Sequence, residues 1–173
     1  MVDPGRGVRR RLATWAGLTC ALVVAASGCG TGPSRTAFQR ETDVYTAVLR
    51  AALAQGPTSA TRALVFVAPI EGGNPLPLEV QAGLIAKLSK QAEMRFVDHP
   101  AQAIDTGSVG RPVLGSGILF DLGTVPAAGT VFAVTVERYR TAADQVTLRF
   151  SVRAITGGWT ADIVADQPSA SGG

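Results

Sequence analysis

Between Gln145 and Ile155 the side chains alternate without a break. Val146, Leu148, Phe150 and Val152 are apolar, while Thr147, Arg149, Ser151 and Arg153 are polar. Successive side chains of a strand point to opposite faces, so this run buries one face and wets the other. It predicts a half-buried antiparallel strand with Val146, Leu148, Phe150 and Val152 on the core side. Its neighbours fit the same sheet. Ile118–Leu122, Val131–Arg140 and Trp159–Ala165 are strand-like runs, and Thr141–Asp144 and Thr156–Gly158 have the length and residue types of hairpin connections.

The first half of the domain follows a different period. Thr36–Gln55 is a helix candidate: Phe38, Tyr45, Val48, Leu49, Ala52 and Leu53 share one face, Thr36 with Gln39 fits a capping box, and Gly56-Pro57 stops it. Its polar face lacks the Lys and Arg clusters of a membrane-surface helix, so packing on a sheet is expected. Arg62–Pro69 is a short continuous apolar run, as for a strand buried on both faces. Pro77–Lys90 is a second helix with Val80, Leu84, Ile85 and Leu88 as its buried stripe, and Met94–Asp98 a second strand. These form a β-α-β unit with parallel strands and a right-handed crossover. His99–Gly117 has no period and is expected to be a long loop with one turn at most. The fold class is therefore α+β: two helices on a mixed, mainly antiparallel sheet, within a single domain over 36–165. The small polar residues 166–173 predict a disordered tail.

The N-terminus carries a different kind of signal. Arg6, Arg9, Arg10 and Arg11 precede an uncharged apolar segment, Leu12–Ala26, which is too short for a span of about 20 residues. Ala26-Ser27-Gly28-Cys29 follows, and here the sequence resembles the lipobox of bacterial lipoproteins. That resemblance implies a diacylglyceryl group on the Cys29 thiol, cleavage before Cys29, and a signal peptide over 1–28. Ala26 departs from the leucine usual in that family. Arg9-Arg10-Arg11-Leu12 partly resembles a twin-arginine export signal, without the rest of the motif. Residues 29–35 (CGTGPSR) make a short tether of about 25 Å at full extension.

Removing the leader changes the charge argument. It holds four of the sixteen basic residues and one, Asp3, of the thirteen acidic ones, leaving twelve of each. A neutral mature domain is a poor partner for nucleic acid or anionic lipid. Of the two cysteines, Cys20 lies in the leader and Cys29 would carry lipid. The mature chain then has no disulfide, no cysteine nucleophile and no zinc–thiolate site, and its stability must come from its core. The runs VYTAVLRAAL, MRFVD and GGWTADIV resemble segments of uncharacterised actinobacterial exported lipoproteins, a likeness that carries no functional residue over. Helices on a curved sheet also occur in the family resembling nuclear transport factor 2, whose element order differs from the early β-α-β here.

Motifs for chemistry are few. His99 is the single histidine, in Asp98-His99-Pro100. An Asp-His pair can orient an imidazole as a base toward Ser108 or Ser116, although neither serine stands in a G-x-S-x-G elbow, and Asp-His-Pro is also an ordinary turn after a strand. One histidine with scattered carboxylates gives no metal-ligand spacing, so neither metal nor cofactor is expected. Glu71-Gly72-Gly73-Asn74 follows a parallel strand, where anions and ligands bind in open sheets. It matches no phosphate-binding fingerprint and is read as a connecting loop. Glu137, Asp144 and Asp162 fall on or near strands, as would any solvated face. Trp159 is either a packing residue at a sheet edge or an aromatic platform.

The sequence thus predicts a lipoprotein held by lipid on Cys29 at the extracytoplasmic face of the cell membrane. Its role is that of a non-catalytic binding or assembly module with an envelope protein as a candidate partner. The competing expectations are an envelope hydrolase using Asp98 and His99, and a small-ligand carrier with an apolar pocket lined by Phe38, Tyr45, Phe132 and Phe150.

Overall fold

The structure is a computed structural model that describes residues 35–55, 62–70 and 72–164. These all fall within one compact unit. The expected leader 1–28, the lipid-bearing Cys29 and its tether to Ser34, Glu71, and the tail 166–173 lie outside the described residues.

The fold is α+β. Helix α1 (Arg35–Ala54) and strand β1 (Ala63–Pro69) are followed by helix α2 (Leu78–Leu88) and strand β2 (Ala92–Phe96). Four further strands complete the sheet: β3 (Ile118–Leu122), β4 (Val131–Thr141), β5 (Asp144–Ile155) and β6 (Gly158–Ile163). The sheet order is β2-β1-β3-β4-β5-β6. β1 pairs in parallel with β2 and with β3, and the remaining pairings are antiparallel.

Both helices cover one face of the sheet. Val44, Tyr45, Val48, Leu49 and Ala52 of α1 share a core with Val80, Leu84 and Leu88 of α2. From the sheet come Val65, Val67, Phe120, Val134, Val136, Phe150 and Val152. The other face is covered only in part. The segment after β2 folds back over it, so that Ala103 and Val113 pack on Phe66, Ala68 and Leu119. β1 is therefore buried on both faces, which is why its sequence is an unbroken apolar run.

Several details differ from the sequence expectation. The second strand is Ala92–Phe96, not Met94–Asp98, because its pairing starts at Ala92 opposite Ala63, directly after α2. Asp98 and His99 consequently lie beyond the strand, where the Gln102 side chain accepts both their backbone N–H groups, at 3.0 and 3.4 Å. Residues 99–117 are more ordered than a plain loop: they hold 3₁₀ turns at Pro100–Ala103 and Leu114–Ser116, and an Ile104–Val113 bridge. Ile85 is 47% exposed, since it stands one position off the Val80–Leu84–Leu88 row. Val146 is 38% exposed although Phe150 and Val152 are fully buried. It pairs with Arg138 near the hairpin end of β5, outside the core cluster.

Candidate functional site

The chain leaves β1 toward the helical face and leaves β2 toward the opposite one. Diverging connections of this kind open a crevice at the carboxyl ends of parallel strands, where ligands commonly bind. Three cavities are lined by Pro69, the last residue of β1, with volumes of about 540, 200 and 120 Å³. The largest of the three is bounded by Ile70, Gly72 and Gly73 after β1, by Asp98, His99, Pro100 and Ala101 after β2, and by Asp121 and Glu137 from β3 and β4.

Its rim is built tightly. Gly72 has φ +79°, which L side chains rarely adopt. The Gly73 N–H donates to the Ile70 carbonyl at 2.7 Å, and a Cβ on Gly73 would stand 2.8 Å from that same oxygen. The opposite wall is held by the Gln102 amide oxygen described above.

Asp121 and Glu137 face each other in the β3–β4 ladder. Asp121 is the charged residue in ILFDL, on the face opposite the main core, and its Oδ1 is shielded from solvent with no hydrogen-bond partner. Burial, and secondarily the charge of Glu137, pushes its carboxyl up to about 7. Near neutrality the Asp121 carboxyl is therefore partly protonated.

A second titratable pair lies at the neighbouring 200 Å³ cavity, lined by Glu41 and Tyr45. Burial raises the Glu41 carboxyl, against a hydrogen bond with Tyr45, and burial together with the Glu41 charge raises the Tyr45 phenol. The Tyr45 hydroxyl donates to the Gly123 carbonyl at 3.0 Å, tying α1 to the end of β3.

The structure brings Asp98 and His99 into the main cavity, together with Glu137 and an Asp121 that the sequence reading did not single out. It does not bring the serines there. Ser108 donates its hydroxyl to Asp105 at 2.6 Å, and neither Ser108 nor Ser116 lines the cavity. That bond and the Gly107 N–H hold the Asp105 carboxyl below its usual range. Asp144 is engaged at the β4–β5 hairpin by Arg138 at 3.1 Å and Arg140 at 3.9 Å, and Asp162 by Arg153 at 3.2 Å. The Trp159 ring packs on Phe132 at 5.4 Å between centroids, and the Arg40 guanidinium lies over both rings, 4.9 Å from Trp159 and 5.0 Å from Phe132. Arg40 also donates to the Pro126 and Gly129 carbonyls. Trp159 is thereby committed to a clamp between α1 and the sheet. Phe38, Tyr45, Phe132 and Phe150 all belong to or pack against the main core, and only Tyr45 of the four lines one of the three cavities around Pro69. Among the described residues no group of three His, Cys, Asp or Glu side chains could hold a metal ion, and no helix is long and apolar enough to cross a membrane. No family model, curated protein or solved structure matches the chain.

The class defined by this architecture is an α+β domain with a small-molecule-sized, carboxyl-lined cavity at the carboxyl end of its parallel strands.

Proposed function

We propose that the chain is a lipid-anchored extracytoplasmic lipoprotein whose domain is a non-catalytic binding or assembly module, with the 540 Å³ cavity as its binding surface. The observation that carries the anchor is Ala26-Ser27-Gly28-Cys29 at the end of an uncharged apolar run headed by four arginines. The diacylglyceryl group by itself supplies the two acyl chains that stable anchoring takes, and a further acyl chain such as palmitate adds a third, each buried CH₂ contributing about 0.8 kcal/mol. The binding role is supported by the cavity's place at the strand ends and by wall groups drawn from four separate segments. Cys29→Ser should leave a larger precursor without acyl mass, whereas the wild type should stay with membranes through a high-salt wash. Wild-type protein recovered processed, soluble and without acyl mass on Cys29 would refute the anchor.

A second reading, an envelope hydrolase using Asp98 and His99, is favoured by the presence of both in the cavity wall. The serines proposed as its nucleophile stand elsewhere, which argues for the binding role. Turnover separates the two: a hydrolase cleaves model ester or amide substrates and loses that turnover in His99→Ala, whereas a binding module has no turnover to lose.

A further inference from the structure

We infer that the end of the domain bearing the N-termini of α1 and α2 docks on the bilayer, with Leu78, Val131 and Ile155 in the interfacial region of the lipid. This rests on the reading of Cys29 as the lipid anchor.

The three residues come from separate segments, and packing brings them to one level. The helices run in the same direction, since Gly83 lies against Thr42 and Arg50 donates to the Lys87 carbonyl. Leu78, five residues before Gly83, is therefore about 7.5 Å farther toward the helix N-termini, level with the first turn of α1. Arg40, near the start of α1, donates to the Gly129 carbonyl and lies over Phe132 and Trp159. That contact sets the start of β4 and the β5–β6 turn at the same level. Val131 pairs there with Arg153, two residues before Ile155. Leu78 is 77% exposed, Val131 63% and Ile155 55%.

Three features select a bilayer as what covers this end. The first is reach. Cys29 is six residues before Arg35, the first residue of α1, so the anchored residue stands at most about 20 Å from it along the chain. The second is charge. Segments 72–78, 123–131 and 155–158, which form this end, contain no Asp, Glu, Lys, Arg or His, and their polar side chains are one Asn and three Thr. Glu79 follows Leu78 but points about 100° away around the helix, so it can stay in water. The third is contrast with the other surfaces. The outer helical face carries Asp43, Arg50 and Lys87, and the open sheet face carries Arg149, Arg153 and Asp162. The opposite end holds Arg62, Lys90, Arg138, Arg140 and Asp144. A bilayer interface stabilises exposed apolar side chains on a charge-free surface, and water does not. The loops themselves stay in the hydrated headgroup layer, so no backbone group is stranded in hydrocarbon.

The test uses the processed, acylated protein in phosphatidylcholine vesicles, with Leu78→Cys, Val131→Cys, Ile155→Cys and Val109→Cys made singly and labelled with a thiol-reactive fluorophore. Cys20 has left with the leader and the Cys29 sulfur is occupied by lipid, so only the new thiol reacts. Val109 is the control: it is fully exposed, in a loop whose Gly110 carbonyl accepts the Ala142 N–H at the opposite end. Lipid carrying a nitroxide on its acyl chain should quench the labels at 78, 131 and 155 at least about threefold more than the label at 109. Leu78→Glu combined with Ile155→Glu should cut the quenching at 131 at least about threefold, while the protein still floats with the vesicles. The inference is overturned, and the anchor stands, if acylated protein floats with vesicles and all four labels quench equally, or if the two Glu substitutions leave the signal at 131 unchanged. It is also overturned if the labels at 78, 131 and 155 are as shielded from aqueous iodide in detergent as in vesicles and sedimentation gives a dimer, because that end then joins two copies of the chain. Protein without acyl mass on Cys29 refutes the anchor and the docking together.

Discussion

At the scale of single residues, Asp121 is the side chain whose placement asks most of its surroundings. It occupies a strand that is otherwise apolar, opposite a second carboxylate, with one oxygen cut off from water and from any donor. Its native-state carboxyl titrates well above the unfolded value near 3.8, so the folded chain binds more protons than the unfolded one between about pH 4 and 7. Stability from this group is fully present below about pH 4 and is lost as pH rises through 7. Asp121→Asn removes the ionisation, and its advantage over wild type should be near zero at pH 4 and reach about 1–2 kcal/mol at pH 8, after allowing for solvent screening at the cavity mouth. Denaturant midpoints measured across that range check the sign. A variant less stable than wild type at pH 8 would mean that the ionised carboxyl has a stabilising partner. This residue was visible in the sequence as the one charge within ILFDL, a run that sheet burial makes apolar. Its pairing with Glu137 was not, because cross-strand neighbours depend on the register of a hairpin 16 residues apart along the chain.

Elements pack here through a few close approaches. Gly83 in α2 lies against Thr42 of α1, and a Cβ on Gly83 would stand 2.6 Å from Thr42 Cγ2. Thr42 is 5% exposed, and its carbonyl accepts the Thr46 hydroxyl at 2.7 Å, so it has little room to retreat. Gly83→Ala gains about 1 kcal/mol of helix propensity and should still destabilise by about 1–2 kcal/mol net, through overpacking. Combining it with Thr42→Ala should restore much of that loss, giving a coupling energy measurable in a double-mutant cycle. In β5, Phe150→Ala should cost about 3–5 kcal/mol, and Val146→Ala less than about 1, since only the former fills the core. Equal costs would show that the core extends to the hairpin end. Periodicity was enough to find each of these elements, and the β3 boundaries coincide with the apolar run Ile118–Leu122. What periodicity could not supply is where the partners end. Val146 continues the alternation of β5 past the last residue that the helices cover, and Ile85 sits beside the α2 stripe instead of in it. The second strand began two residues early for the same reason: its start is set by pairing with β1, not by its own composition.

For the molecule as a whole, the seat of the cavity was legible only as topology. A β-α-β unit followed by a return across the other face implies diverging connections, but without the strand order nothing said that residues 69–70, 72–73, 98–101, 121 and 137 would meet. Net charge is the property the sequence does determine at this scale, once the fate of the leader is specified. With residues 1–28 removed the chain carries twelve basic and twelve acidic residues, and the full chain is at +3. Five of the described cations are paired with carboxylates within the fold: Lys87 with Asp43, Arg95 with Glu93, Arg138 and Arg140 with Asp144, and Arg153 with Asp162, each within 4 Å. A polyanion competing for them must replace internal partners, and the counterions it could release are correspondingly few. The processed protein in neutral detergent should therefore elute from heparin at the starting salt concentration, and adding anionic lipid to neutral vesicles should not change its partitioning beyond what the acyl chains give. The unprocessed Cys29→Ser precursor, which keeps Arg6, Arg9, Arg10 and Arg11, should instead be retained and released by salt. Retention of the processed form under the same conditions would place a basic surface on the mature domain that its charge balance does not provide.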